Sequence, residues 1–120
     1  GIFGETYKFF YGGGDTEAHM YPDQLVMVKV ERRVSNRNYV EEFVYDKDGR
    51  LTFYFQKAEN DDQVPGERRV YFSGVKAIRI VEDGKTRDRL TAKNVKTVGD
   101  VTSLSGWLKD LFARSIGRRT

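Results

Sequence analysis

YVEEFVYDKDGRLTFYFQKAENDDQVPGERRVYFSGVKAIRIVEDG, the stretch Tyr39–Gly84, reads as four strands separated by three turns. Side chains of a strand alternate between two faces, and turn residues fall where the alternation breaks. In Tyr39–Tyr45 the residues Tyr39, Phe43 and Tyr45 point one way while Val40 and Val44 point the other. Leu51, Phe53 and Phe55 share a face of the next strand. Between these runs lies Asp46-Lys47-Asp48-Gly49. Asp can bond its own backbone and Gly can take positive φ, so a short antiparallel hairpin follows. The link Glu59–Gly66 is polar and closes on Pro-Gly, which marks a longer solvated loop. Arg68–Phe72, the turn Ser73-Gly74 and the strand Val75–Val81 complete the run, and Asp83-Gly84 ends it. Because both faces carry apolar residues, part of this meander is expected to be covered on both sides.

Towards the N-terminus, Leu25–Val34 is a further strand, with Val26, Val28, Val30 and Val34 on one face and Leu25 and Met27 opening the other. Beyond Met27 that second face becomes Lys29, Glu31 and Arg33 and reaches solvent. Ser35-Asn36-Arg37-Asn38 turns this strand back onto Tyr39–Tyr45, extending the sheet to five consecutive strands. The aromatic run Ile2–Tyr11 favours another strand. Gly12-Gly13-Gly14-Asp15 then breaks the pattern. A phosphate cradle needs a following helix N-terminus and a Lys-Ser/Thr or second glycine at set spacing, none of which follows, so the triple glycine reads as a loop. His19 is the single histidine and has no partner at metal or acid–base spacing.

Towards the C-terminus, Lys85–Val98 fits either a strand or an irregular segment. From Thr102 onward the pattern changes period. Leu104, Trp107, Leu108, Leu111 and Phe112 make one apolar face of an α-helix. Ser103 is the expected N-cap, Arg114 complements the dipole at the last turn, and Gly117 stops the helix. Trp107, Leu108, Leu111 and Phe112 are expected to be buried against the sheet.

Composition limits the chemistry. The chain has 120 residues, enough for one domain spanning 1–120 with a single core. Its 21 basic and 18 acidic residues leave a net charge of +3, and Arg114, Arg118 and Arg119 account for that excess. A basic tail is indicated, rather than a nucleic-acid footprint over the whole fold. There is no cysteine, which excludes disulfides and thiolate chemistry. No apolar run approaches the roughly 20 residues that span a bilayer. The first residue is Gly rather than Met, which suggests a trimmed or mature piece, so any targeting segment or N-terminal anchor would already be gone.

Carboxylates are numerous: Glu41, Glu42, Asp46, Asp48, Asp61, Asp62, Asp83 and Asp88. Most fall in turns or on solvent faces, and acid–base work needs two that converge in a cleft. Asp46–Gly49 resembles the middle of a calcium loop but lacks the closing bidentate Glu, so it reads as a turn. No catalytic residue, metal ligand or cofactor is assigned. The remaining candidates are aromatics interleaved with Arg32, Arg33, Arg50, Arg68, Arg69 and Arg79. Tyr39, Phe43, Tyr45, Phe53, Phe55 and Tyr71 are the candidate ligand-binding residues. Such a face can line a site for an apolar ligand or stack nucleobases, while the plainest reading is cross-strand pairing that stabilises the sheet.

Within Tyr39–Arg79, EFVYDKDGRLTFYF followed by ERRVYFSGVKAIRI resembles the recurring YFDxxGxLxF … RxYFxxGKxIR meander of uncharacterised secreted proteins and lipoproteins of Bacteroidetes. The chain departs from that pattern at Val44, where an aromatic is expected, and at Ser73-Gly74-Val75, where Gly-Lys is expected. The resemblance implies export to the periplasm or cell envelope and carries no known activity.

The expected fold is α+β: a curved antiparallel meander of about five to seven strands packed against one C-terminal helix, with a lipocalin-like barrel plus terminal helix as the alternative. The expected function is a non-enzymatic secreted or envelope domain that binds a small apolar ligand or a protein partner. A nucleic-acid-binding module and a carboxylate-dependent hydrolase are the alternatives.

Overall fold

Every strand pairs antiparallel with the strand before it, so chain order and spatial order coincide. The computed structural model describes residues 3–14, 17 and 23–117. In it β1 (Phe3–Gly12), β2 (Gln24–Val34), β3 (Arg37–Tyr45), β4 (Leu51–Glu59), β5 (Glu67–Ser73), β6 (Lys76–Glu82) and β7 (Lys85–Arg87) form one sheet in that order. Helix α1 (Ala92–Ser115) follows. β1 and β7 are the two edges, so the sheet stays open and is not a barrel. His19, Arg118 and Arg119 lie outside the described residues.

One row of the ladder makes most of the core. Phe9, Val28, Phe43, Tyr54, Val70 and Ile80 stand side by side across six strands. Val28, Phe43, Val70 and Ile80 are wholly buried and Tyr54 nearly so. Leu108 from α1, also wholly buried, is seated on the same cluster with Val101 and Phe112. Burying side chains of this size stabilises by about 1.5–3 kcal/mol each, which is why the helix is held although the sheet is open.

Three bulges set which residues join this face. They fall at Phe10/Tyr11, Val44/Tyr45 and Tyr71/Phe72, one in each of the hairpins β1–β2, β3–β4 and β5–β6. The extra residues are Val26, Thr52 and Ile78, at the same level of the sheet and at equal spacing along the chain. A bulge turns the residues beyond it to the other face. Leu25 therefore joins Val28 and Val30 in the core while Val26 is 48% exposed, against the strict alternation expected from sequence. Leu51 likewise packs on the core and does not share the face of Phe53.

The helix begins earlier than its apolar stripe indicates. Thr91 is the N-cap: its side chain accepts from the Asn94 N–H at 3.2 Å, and the Asn94 side chain accepts from the Thr91 N–H at 3.2 Å. Ser103 is therefore inside the helix and caps nothing. The buried positions are Asn94, Val101, Ser105, Leu108 and Phe112. Trp107, expected in the core, is 45% exposed and lies on the flank of the helix with its ring edge-on to Tyr7, centroids 5.7 Å apart. The expectation that part of the sheet is covered on both sides is also corrected: among the described residues no element packs on the face turned away from α1.

Candidate functional site

The uncovered face follows from the register that builds the core. One residue out of phase with the core row, Phe10, Met27, Val44, Phe53, Tyr71 and Arg79 form a second row on the opposite side. Phe10 is 46% exposed and Tyr71 37% exposed, and the bulge residues Val26 and Ile78 point outward beside them. Phe53 and Tyr71 are a cross-strand pair with ring centroids 5.1 Å apart. In the next row Arg69 lies over the Phe55 ring at 5.0 Å, a cation–π contact. The cations here are partnered. Arg69 pairs with Glu67 at 3.2 Å, and Arg79 pairs with Asp88 at 2.6 Å. The hydrogen bond from Arg79 holds the Asp88 carboxyl below its ordinary range. The face is thus an apolar band bordered by neutralised charges.

The helix-covered face carries a polar track one row beyond the core. Tyr7, Val30, Glu41, Gln56, Arg68 and Glu82 stand in register there. The Tyr54 hydroxyl donates to Glu41 Oε2 at 2.5 Å. Arg68 donates from Nε to Glu82 Oε2 at 2.8 Å and from Nη1 to Gln56 Oε1 at 3.1 Å. Glu82 also accepts from Asn94 Nδ2 on α1 at 3.3 Å. Among the described residues no buried side-chain nitrogen or oxygen lacks a partner. Burial, and then the negative charge of Glu41, push the Tyr54 hydroxyl far above its ordinary value, so it stays a donor. This track ties the first turn of α1 to β6. Sequence reading missed Gln56, Glu82 and Asn94, and took Arg68 only as one of the cations interleaved with aromatics. Parity with Tyr54, Val70 and Ile80 is the signal that locates the three strand residues.

The six aromatic candidates are divided among three places. Phe43 and Tyr45 are core residues under the helix, where the Tyr45 hydroxyl donates to the Ser105 carbonyl at 3.2 Å and accepts from Ser105 Oγ at 3.0 Å. Tyr39 stands on the helix-facing side towards one end, with Arg32 over its ring at 4.9 Å and its hydroxyl donating to Asp61 Oδ2 at 2.6 Å. That bond raises the Tyr39 hydroxyl and lowers the Asp61 carboxyl. Only Phe53, Phe55 and Tyr71 come together, and they do so on the uncovered face. A cleft of about 280 Å³ bounded by Thr6, Glu31, Arg33 and Val40 lies at the polar end of that face; two others lie elsewhere. One of about 300 Å³ is bounded by Leu25, Tyr45, Lys109 and Phe112, and one of about 240 Å³ by Leu51, Phe72, Val75 and Gly106. Both sit at the margin between helix and sheet.

The remaining sequence motifs resolve into structure. Asp46 Oδ1 accepts from the Asp48 and Arg50 N–H groups at 2.8 and 2.9 Å, and Gly49 takes φ of 78°, so Asp46–Gly49 is a hairpin turn. Among the described residues no three carboxylates converge as metal ligands. No family model, curated protein or solved structure matches the chain.

Proposed function

We propose that this chain is a non-catalytic binding domain that docks a protein partner on the uncovered sheet face. The observation that carries this reading is the row Phe10–Met27–Val44–Phe53–Tyr71, an apolar band across five strands with no described element over it. Soluble domains rarely leave a contiguous apolar band open unless something covers it. The apolar row offers area without enclosure, since the cleft of that face lies at its polar end among Thr6, Glu31, Arg33 and Val40, and this favours a macromolecular surface over a small molecule that needs a concave pocket. Arg68 is on the opposite face, and Arg69 and Arg79 are ion-paired, so the cations that stacking on nucleobases would use are engaged. Glu41 and Glu82 are similarly committed to Tyr54, Arg68 and Asn94, which favours binding over carboxylate catalysis. The resemblance within Tyr39–Arg79 supports a place in the cell envelope.

Site-specific photo-crosslinking tests this. With a benzophenone amino acid in place of Tyr71, irradiation of the native cells is expected to give a discrete protein adduct that Phe53→Ser abolishes. The same group in place of Lys57, at the polar end of that face, is expected to give none. Equal, diffuse labelling from both positions would sink the proposal.

A further inference from the structure

The two edges of the sheet are unlike. β7 has three residues, Lys85, Thr86 and Arg87, all exposed and two of them charged. Short, charged edges are protected against further pairing. β1 has ten residues, FGETYKFFYG, and pairs on one side only, with β2. Among the described residues no strand pairs with its other side, so its outward N–H and C=O groups have no ladder partner there. The exposed aromatics gather at the same edge. Phe3 is 67% exposed, Tyr11 50% and Phe10 46%, and Trp107, 45% exposed, lies edge-on to Tyr7 of β1. Tyr71 is the single other aromatic of comparable exposure among the described residues.

We propose that the free edge of β1 pairs antiparallel with β1 of a second copy of this chain, about a two-fold axis through Thr6, joining the two sheets edge to edge. Such an axis stands perpendicular to the sheet and puts both helices on one side, so residues of equal parity oppose each other. The strand's own side chains select the register. Centring on Glu5 would set Glu5 against itself and centring on Lys8 would set Lys8 against itself, and like charges directly opposite are destabilising. Centring on Tyr7 would set Glu5 against Phe9 of the second copy, leaving the carboxylate beside a ring with no donor opposite it. Centring on Thr6 avoids all three. It places Phe3 against Phe9 of the second copy, Glu5 against Tyr7 of the second copy, and Gly4 against Lys8 of the second copy. Glu5 already accepts from the Tyr7 hydroxyl within the strand, so the acceptor and donor are on the right face. Phe9 packs on Phe112, with ring centroids 5.7 Å apart, so Phe3 of the second copy extends an aromatic cluster that now ends at the edge. The exposed flank of Trp107 lies next to it.

The absence of native cysteine makes the register directly testable. Thr6→Cys puts the two thiols opposite each other at the axis, within disulfide reach. Lys8→Cys puts them four residues apart along the strands, roughly 13 Å. Under mild oxidation Thr6→Cys is expected to give a covalent dimer and Lys8→Cys a monomer. Sedimentation velocity of the unaltered chain is expected to show a concentration-dependent dimer, with Phe3→Lys weakening it at least about tenfold. A chain that stays monomeric throughout the sedimentation range overturns the proposal, as does crosslinking of Lys8→Cys equal to that of Thr6→Cys. Dimerisation lost on Tyr71→Ser but kept on Phe3→Lys would also overturn it, moving self-association to the uncovered face.

Discussion

Tyr54 keeps its proton because burial and the Glu41 carboxylate act in the same direction. Its folded value lies well above the ordinary 10.0, so the unfolded chain releases this proton first as pH rises. The stabilisation is fully present below about pH 10 and is lost progressively above it. Tyr54→Phe is expected to cost about 1–3 kcal/mol at neutral pH, because it removes a hydrogen bond to a charged acceptor. It should also flatten the loss of stability between neutral and strongly alkaline pH. Tyr7, pushed up to about 12 chiefly by burial and then by Glu5, contributes in the same sense and stays in the variant. Urea denaturation of both chains at neutral and alkaline pH isolates Tyr54 as the difference; identical alkaline slopes would refute its role. At this scale the turns were the legible part of the sequence. Asp46–Gly49 is a local bonding pattern, and one Asp with one Gly specifies it. The faces of Leu25, Val26 and Leu51 were not legible, because a bulge reverses parity without any residue that announces it, as at Val26, Thr52 and Ile78.

Among the elements, α1 shows how a helix can be half visible. Leu104–Phe112 carries large apolar residues at helical spacing, and that alone reveals it. Ala92–Val101 buries Asn94 and Val101, includes Gly99, and uses Asn where a capping box usually has Glu or Gln, so no stripe or familiar cap marks its start. Thr91→Ala is expected to cost about 1 kcal/mol through loss of the cap. Ser103→Ala, at an exposed helical position, is expected to stay within about 0.5 kcal/mol. Chemical denaturation of the two single variants checks the pair, and a larger loss at Ser103 would place the helix start where the apolar stripe alone puts it. Trp107 was misplaced for a related reason. A helix lying on an open sheet buries a narrower stripe than one enclosed by further layers, and Trp107 falls at its margin, where Tyr7 of the edge strand receives it.

For the molecule as a whole, one helix supplies the only cover of the core among the described residues. Leu108, wholly buried at the centre of that contact, is the residue whose loss the fold can least absorb. Leu108→Ala is expected to cost about 2–5 kcal/mol, a large share of the 5–15 kcal/mol typical of a domain. Thermal and urea unfolding measure it. A cost below about 1 kcal/mol would mean that the helix does not hold the sheet. The strand order follows from sequence because each connection is a short turn or a single loop. The uncovered face could not be read the same way: apolar residues on both sides of a strand look alike whether or not a second layer exists.

The strictly sequential meander also orders the events of synthesis. Each hairpin can close on chain already made, because its partner strand is its immediate predecessor. The helix that shields Phe43 and Tyr54 is the last element in chain order, and it reaches back to the first strand through Phe112 on Phe9 and Tyr11. Until it arrives, a growing sheet has both of its faces open. The interval between completing β7 and docking α1 is therefore when this chain is most exposed to aggregation and has most need of a chaperone.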